Sequence, residues 1–261
     1  MTSANTGQVA VTDRAIQQIK AMIASGQLRP GDRLPPEKQL SEKIGVSRNS
    51  LREAVRALSV LKILDVRQGD GTYVTSLEPE LLTYAIGFTL DVHPDTAVVD
   101  IMAVRRLLEP AAVGMATPHL THEDLQSLRD LMAPLSEDTE INTLVQADIT
   151  FHHLINRRCG NPYLTSLLDA FATSTARGRL WRGLHENEAI RRTLDEHHRI
   201  LEALESGHAD LAATYAAAHV AGVETWLRHD PVPAFDPELD AADPAGQPAE
   251  AAQAHDDDAA G

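Results

Sequence analysis

The sequence predicts a mostly helical protein with two domains: three helices and a β-hairpin come first, and an antiparallel all-α bundle follows. A chain of 261 residues is long enough for one or two domains, and its 43% of hydrophobic residues can form sizeable cores. Apolar residues recur at helical spacing along most of the chain. Strand-like alternation occurs on both sides of Gly69-Asp70-Gly71, where it predicts a hairpin.

The charge of the chain is unevenly distributed. Residues 1–77 carry a net charge of +4, residues 78–232 carry −11, and residues 233–261 carry −8. A basic segment attached to an acidic remainder suggests a nucleic-acid contact at the basic end. None of the 12 histidines precedes His93. We therefore predict three regions: a first domain over residues 1–77, a helical domain over residues 78–230, and an acidic, disordered tail over residues 231–261.

The composition excludes several classes of protein. The apolar runs are too short for a transmembrane span, and the N-terminus has no cationic segment followed by an apolar core, so it is not a secretory signal. Cys159 is the single cysteine, which excludes an internal disulfide framework and a multi-cysteine zinc module. We expect a cytoplasmic protein without a membrane partner.

The elements of the first domain follow from local signals. Apolar residues at helical spacing predict a first helix that stops at Gly26. Pro35-Pro36 leads into a short second helix that ends at Gly45, and Ser47 caps a third helix. A short helix, a tight turn and a second helix form a helix-turn-helix, whose second helix enters the major groove of DNA. The hairpin that follows would be its wing.

The third helix carries the candidate DNA-binding side chains. Its first turns would present Arg48, Asn49, Ser50 and Arg52, which can donate to base edges or phosphates. The alternative is that the two arginines belong to an ordinary solvated helix face. Residues 25–58, SGQLRPGDRLPPEKQLSEKIGVSRNSLREAVRAL, and residues 66–74, VRQGDGTYV, resemble the winged-helix signature of the GntR family of bacterial transcription regulators.

That resemblance implies a set of DNA contacts. Family members contact DNA at the positions of Lys38, Arg48, Asn49, Ser50 and Arg52, and the wing-tip glycine, here Gly69, reads the minor groove. The chain departs from the family at Lys62, where members usually have glycine. A lysine there either adopts a left-handed backbone at some cost or leaves the helix differently, which bears on the angle of the wing.

The second domain shows a series of helix signals. Asp95 opens one helix, Thr121 with Asp124 resembles a capping box, and a third helix spans residues 141–158. Asn161-Pro162 starts another, with proline at the first helical position. Two more helices, at about residues 188–206 and 209–229, flank a short turn. The pattern predicts an antiparallel bundle of six or seven helices.

Four side chains of this domain form a candidate metal site. Asp148 and His152 are four residues apart on one helix, so both project from the same face. His197 and His219 are equidistant from residue 208, in the turn between the last two helices, so they can face each other across that hairpin. Three imidazoles and a carboxylate could converge on one cation. On an octahedral ion they would leave two positions for water or a bidentate ligand.

These segments resemble the FCD ligand-binding domain of the FadR subfamily of GntR regulators. The resemblance rests on Arg105 to Glu109, on DITFHHLINRRCGNPYL, and on EHHRILEALESGHADLAATYAAAHV. It implies that Asp148, His152, His197 and His219 hold a divalent metal ion. This set of ligands would suit Zn, Ni, Fe or Mn. We interpret His153 and His198 as solvent-facing or outer residues, with His198 as the rival of His197.

Arg105 has two interpretations. It lies four residues before Glu109 and could project into the same cavity, where a guanidinium beside a metal could hold a carboxylate. It could equally form a buried ion pair with Glu109.

The sequence as a whole predicts a transcription regulator and not an enzyme. We expect a homodimer that binds a palindromic double-stranded operator and responds to a small carboxylate effector. Two alternatives are a metal-dependent enzyme with an accessory DNA-binding arm and a regulator whose metal site is purely structural.

Overall fold

The computed structural model of the chain describes residues 3–79 and 94–233. It divides into two compact units, 1–85 and 86–261. The dividing point falls outside the described residues, so the boundary expected at residue 77 stays a prediction. The acidic tail expected over residues 231–261 lies almost wholly outside the described residues as well.

The first unit has the expected order of three helices and a hairpin. Its elements are α1 (Ser3–Ala24), α2 (Glu37–Ile44), α3 (Arg48–Val60), β1 (Leu64–Arg67) and β2 (Gly71–Val74). The two strands pair antiparallel, from Leu64 opposite Val74 to Arg67 opposite Gly71. Its core is apolar and draws on every element, with buried Ile19, Leu40, Leu51, Leu58, Leu64 and Val74.

The turn between α2 and α3 sets the geometry of the helix-turn-helix. Gly45 closes α2 in a left-handed conformation at φ 74°, which glycine adopts at no steric cost. Ser47 then caps α3, because its hydroxyl accepts a hydrogen bond of 3.1 Å from the backbone N–H of Ser50. Leu51 packs in the core of the unit with no exposed surface.

Lys62 resolves the question raised by its departure from the family pattern. Its φ is 58°, so the lysine adopts the left-handed conformation usually left to glycine. The N–H of Ile63 donates to Leu58 O at 2.9 Å, which ends α3 and directs the chain into β1. A left-handed backbone costs a non-glycine residue about 1–2 kcal/mol.

The second unit is an all-α bundle. Its helices are α4 (Pro94–Ala116), α5 (His122–Met132), α6 (Ile141–Asn156), α7 (Pro162–Ser174), α8 (Ala176–His185), α9 (Ala189–Glu205) and α10 (Ala209–His229), with a 3₁₀ turn at Thr117–His119. Residues 94–233 therefore hold seven α-helices, within the predicted six or seven. No helix among the described residues is both long and apolar enough to cross a membrane.

Helices α4 and α10 run antiparallel along each other. A Cβ on Gly114 would lie 3.7 Å from the Cβ of Ala213, so small residues let the two helices approach closely at one end. Toward the other end, Arg106 Nε pairs with Glu224 Oε2 at 2.7 Å. The bundle core also includes Cys159. Its thiol forms no disulfide, and the buried side chain packs as a small hydrophobic residue.

Two helix starts of this unit have the caps that the sequence predicts. Thr121 and Asp124 form the full capping box of α5. Asn161 Oδ1 accepts from the backbone N–H groups of Tyr163 and Leu164 at the start of α7. His208 precedes α10 without a side-chain cap.

The carboxylate of Asp124 takes part in the N-terminal cap of α5 and also binds two arginine side chains. Its Oδ2 accepts from Thr121 N at 2.9 Å, and its Oδ1 accepts from Arg157 Nη2 at 2.9 Å and from Arg158 Nη2 at 2.8 Å. Burial raises the pKa of this carboxyl, but the hydrogen bonds from Arg158 and Thr121 outweigh it and hold the pKa well below its usual range. Asp124 therefore stabilises the fold in its ionised form.

We expect Asp124→Ala to lower the free energy of unfolding by about 2–4 kcal/mol, because it removes the cap and leaves two guanidinium groups unpaired. Glu123→Ala, in the same first turn but exposed, should change it by less than about 0.5 kcal/mol. Urea unfolding measures both. Because a lowered carboxyl pKa stabilises the fold in full above the unfolded value of 3.8 and loses that effect as the pH falls toward the lowered value, the deficit should shrink below pH 3.8. A deficit independent of pH would contradict the ionised role.

Candidate functional site

Asp148, His152, His197 and His219 meet in the core of the helical unit. One ligand atom from each lies within 4.8 Å of the other three, and all four side chains are buried. Asp148 Oδ1 is the shared neighbour, at 3.2 Å from His197 Nε2, 3.5 Å from His219 Nε2 and 3.8 Å from His152 Nε2. The structure thus brings together all four residues singled out from the sequence.

Three helices position these side chains. Helix α6 supplies Asp148 and His152 one turn apart on its buried face, while α9 and α10 form a hairpin that places His197 opposite His219. Phe151 stacks on the ring of His197 with centroids 4.4 Å apart, which fixes the plane of that imidazole.

A second layer of charged groups holds the outer side of these residues. Glu196 Oε2 lies 2.8 Å from His219 Nδ1, and Glu109 Oε1 lies 2.5 Å from His152 Nδ1. The hydrogen bond to Glu196 favours a proton on the outer nitrogen of His219, and the inner nitrogen of that ring would be free as a ligand once its own proton has left. Arg179 Nη1 donates to Asp148 Oδ2, which leaves Oδ1 of that carboxylate facing the histidines.

The cluster fits a divalent cation. His152 Nε2 and His197 Nε2 are buried without a hydrogen-bond partner among the described residues. A buried polar atom left unsatisfied costs about 1–3 kcal/mol, and coordination of a cation would satisfy both nitrogens. Imidazole and carboxylate together suit Zn, Ni, Fe or Mn.

The side chains of the cluster differ in the direction in which their pKa values are shifted. Burial lowers the pKa of His197 to about 4, despite the neighbouring Asp148. Burial opposes the charged form of His219 too, but contacts with Asp148 and Glu196 outweigh it and raise the pKa to about 9. For Asp148, burial is outweighed by the charge of Arg179 and by His197, and the pKa lies well below its usual range. An anionic aspartate, a neutral imidazole and a cationic imidazole therefore share one buried space.

Arg105 forms the buried ion pair that was one of its two interpretations. Its Nε donates to Glu109 Oε2 and its Nη1 donates to Thr175 Oγ1, each at 3.0 Å. Burial raises the pKa of Glu109, but the charges of Arg105 and His152 overcome this and hold it well below its usual range. Arg105 therefore acts on His152 through Glu109.

A small pocket opens beside the cluster. Its polar wall consists of Asp148, Arg179, Arg182 and Thr193. Arg105 is not part of this lining. Sequence reasoning missed Arg179 and Arg182, because neither belongs to a ligand motif. Their one signal was that every fixed positive charge between residues 78 and 232 is an arginine.

The neighbouring histidines lie outside the cluster. His153 is exposed, with Nδ1 at 3.0 Å from Asp169 Oδ2. His198 is exposed as well, with Nδ1 at 2.7 Å from the backbone oxygen of Leu194. The α9 register thus turns His197, and not its rival His198, into the core.

The proposed DNA contacts divide into exposed and buried residues. Lys38, Arg48, Asn49, Arg52 and Gly69 are exposed. Ser50 is only 5% exposed, and its hydroxyl lies 2.9 Å from the hydroxyl of Ser47. Ser50 therefore belongs to the cap of α3, and its role as a DNA donor stays a prediction. Arg52 Nε pairs with Glu37 Oε2 at 3.0 Å.

Side chains of both strands make contacts near the tip of the wing. Gly69 and Gly71 flank Asp70, and Gly69 has a left-handed φ of 76°. Tyr73 donates its hydroxyl to Asp70 Oδ2 at 2.9 Å, and the guanidinium of Arg67 lies 4.2 Å from the centre of the Tyr73 ring. The tip is therefore held by side chains on both strands.

Comparison with known proteins matches each unit to a family. The model of bacterial regulatory proteins of the gntR family matches residues 11–74, and the model of the FCD domain matches residues 100–222. A winged helix-turn-helix linked to such a domain defines the class, a DNA-binding transcriptional regulator and not an enzyme. The first unit thus matches the DNA-binding domain of the gntR family, and the helical unit matches an FCD domain.

Individual relatives agree with this assignment. The chain is 28% identical to the HTH-type transcriptional regulator LutR of Bacillus subtilis, over 79% of this chain and 96% of that protein. It is 27% identical to the galactonate operon transcriptional repressor of Escherichia coli, over 80% and 93% of the two chains. The solved structure of Streptococcus agalactiae GntR superposes with a TM-score of 0.60 at 26% identity, over 82% of this chain and 99% of that one.

We expect His219 to titrate near pH 9 and His197 near pH 4 in the protein treated with a chelator, as followed by NMR of ring-labelled histidine. A raised histidine pKa stabilises the fold below the unfolded value of 6.5 and loses that effect as the pH rises through about 9. The lowered pKa of His197 stabilises the fold above pH 6.5, and this effect is lost as the pH falls through about 4.

Glu196→Gln provides the matched comparison, because it removes one of the two carboxylates that face His219. The pKa of His219 should then fall while that of His197 stays low. Two rings that both titrate near 6.5 in the unsubstituted protein would refute this distribution of charge.

Proposed function

We propose that the protein is a cytoplasmic, homodimeric regulator of the FadR subfamily, whose operator affinity is set by a small organic acid bound at a divalent metal. The observation that carries the proposal is the buried cluster of one aspartate and three histidines beside a pocket. This cluster lies in the same chain as a winged helix-turn-helix.

Asp148, His152, His197 and His219 would hold the metal. When bound, such an ion supplies a Lewis-acid position for oxygen atoms of a ligand, since four protein ligands leave a six-coordinate ion two further positions. Glu196 and Glu109 orient two of the imidazoles from outside. The pocket begins at Asp148, so an acid bound there would reach the centre directly.

The effector class is supported by the names of relatives. One similar protein is the galactonate operon repressor, and another is named for an L-lactate dehydrogenase operon, so their names refer to a sugar acid and a hydroxy acid. Donors for a carboxylate and a hydroxyl are present around the pocket in Arg179, Arg182 and Thr193. Arg105 is better suited to positioning His152 than to touching the effector, since its guanidinium is engaged by Glu109 and Thr175.

DNA would be bound by α3 in the major groove and by the wing. Arg48, Asn49 and Arg52 lie exposed on α3, Lys38 on α2, and Gly69 at the wing tip. Two copies related by a two-fold axis would read a palindromic operator. The acid would regulate binding by favouring one placement of the two recognition helices, and such couplings are about 1–3 kcal/mol.

Arg52→Ala should weaken operator binding by about 10- to 100-fold or more, because it removes a base or phosphate contact in the major groove. Lys20→Ala removes one positive charge from an exposed position of α1 and should have little effect. Fluorescence anisotropy with a labelled operator, found by selection from random duplexes, measures both. Full retention of sequence-specific binding by Arg52→Ala would remove α3 as the recognition helix.

His197→Ala should abolish stoichiometric metal binding, while His198→Ala, one residue along the same helix, should retain it. Elemental analysis of the purified proteins measures this directly. If His198→Ala loses the metal and His197→Ala retains it, His198 and not His197 is the ligand. Chelation tests the sensing role in the unsubstituted protein. Removal of the metal should abolish the increase in melting temperature that organic acids cause. If chelation unfolds the protein and acids have no effect on the metal-loaded form, the metal is purely structural.

A further inference from the structure

Two arginines of α3 form ion pairs of different kinds. Arg52 pairs with Glu37 of α2, across the turn of the helix-turn-helix. Arg56 pairs with Glu53, three residues before it on α3 itself. All four side chains are exposed, and an ion pair in such contact with water contributes little to stability. The two contacts therefore differ more in their geometry than in what they contribute to the fold.

The contact with Glu37 uses one edge of the Arg52 guanidinium. The Nε–H donates to both carboxylate oxygens, with Nε at 3.2 Å from Oε1 and 3.0 Å from Oε2. Neither terminal nitrogen of Arg52 has a hydrogen-bond partner among the described residues. Because a guanidinium is planar and rigid, a carboxylate that holds Nε also fixes the direction of Nη1 and Nη2. Arg52 is thus left with a pair of oriented donors.

The guanidinium of Arg56 is held by its other end. Its Nη1 donates to Glu53 Oε1 at 3.2 Å, so one terminal nitrogen is already engaged. Arg52 also lies nearer the start of α3, which begins at Arg48, and the first turns of a recognition helix are the part that contacts base edges. Both glutamates place a negative charge beside an arginine of α3, but only Glu37 leaves the terminal pair of donors available.

A pair of terminal donors matches one base in the major groove. Guanine presents two acceptors there, O6 and N7, whereas adenine presents one acceptor beside a donor, thymine one acceptor and cytosine a donor. An arginine that approaches with Nη1 and Nη2 can bond to both acceptors of guanine at once. A side chain that is already oriented also loses less conformational entropy when it makes this contact.

The charge of Glu37 is otherwise unfavourable on a surface that binds DNA. Phosphates attract cations and repel a carboxylate, so Glu37 weakens the part of binding that does not depend on sequence. Glu37 is also the first residue of α2, where any acid interacts favourably with the helix dipole. The dipole does not account for the contact with Arg52 across the turn.

We propose that Glu37 is a positioning residue for DNA recognition, which orients Arg52 so that its terminal nitrogens bond to O6 and N7 of a guanine in each half-site. This inference rests on the proposed function, in which α3 enters the major groove. Glu37 does not touch the base and acts only through Arg52. The same carboxylate weakens the attraction to phosphates, so its removal should change discrimination and sequence-independent affinity in opposite directions.

Fluorescence anisotropy with the full chain measures both quantities. The probes are the operator selected from random duplexes, a set in which each G·C pair of the half-sites is replaced in turn by A·T, and an unrelated duplex of the same length. In the unsubstituted protein, replacement of the guanine that Arg52 contacts should weaken binding about 10- to 100-fold. Arg52→Ala identifies this guanine, since that variant should lose discrimination at this base pair alone.

Glu37→Gln should reduce the discrimination at that base pair to less than about threefold. The same variant should bind the unrelated duplex about two- to fivefold more tightly, because one negative charge has been removed. In the Arg52→Ala background, Glu37→Gln should tighten the operator and the unrelated duplex equally, since only the effect of charge is left.

Glu53→Gln is the matched control, because it removes the same charge beside Arg56. It should tighten binding to every duplex and retain the discrimination. Circular dichroism melts verify that the variants fold. If Glu37→Gln does not, a crystal structure of the unsubstituted protein on its operator decides the question. Arg52 Nε should then remain on Glu37 with both terminal nitrogens within about 3.2 Å of O6 and N7, whereas a terminal nitrogen on a phosphate overturns the inference.

The outcomes separate this inference from the role of α3. If Arg52→Ala loses discrimination at a guanine and Glu37→Gln keeps it, the positioning role is overturned and α3 remains the recognition helix. An equal loss at every base pair in Glu37→Gln, together with a lower melting temperature, shows a structural role of Glu37 in α2 and overturns the inference as well. Full discrimination by Arg52→Ala overturns both the inference and the proposed use of α3.

Discussion

The burial of one aspartate among three histidines is the constraint on which the helical unit depends. Removing such groups from water is costly unless each gains a partner of opposite charge or a hydrogen bond. Glu109, Glu196 and Arg179 supply partners on the outer side. Among the described residues, the inner nitrogens of His152 and His197 find no hydrogen-bond partner, so this space is the part of the site that a cation would complete.

This arrangement links the buried cluster to several helices through charged pairs. Arg105 on α4 reaches His152 on α6 by way of Glu109, and Arg179 on α8 reaches Asp148 on α6. Helices α9 and α10 contribute His197, Glu196 and His219 directly. A ligand that engages the guanidinium groups of α8 would therefore act on the same carboxylate that faces all three histidines.

Much of the fold could be predicted because its signals are local. Caps at Ser47, Thr121 and Asn161 mark helix starts, and the i, i+4 spacing of Asp148 and His152 fixes their common face. What could not be predicted depends on tertiary packing. The burial of Ser50 follows from its bond to the cap, and the roles of Arg179 and Arg182 follow from α8 lying against α6, a contact that no spacing along the chain reveals.

The central claim is that four side chains of the helical unit bind one cation. Diffraction data collected on both sides of the absorption edge of the metal found by elemental analysis test it most directly. We predict an anomalous difference peak about 2.0–2.3 Å from His152 Nε2, His197 Nε2, His219 Nε2 and an oxygen of Asp148. Stoichiometric metal with its peak elsewhere, or imidazoles that point away from one another with no peak between them, would contradict the account.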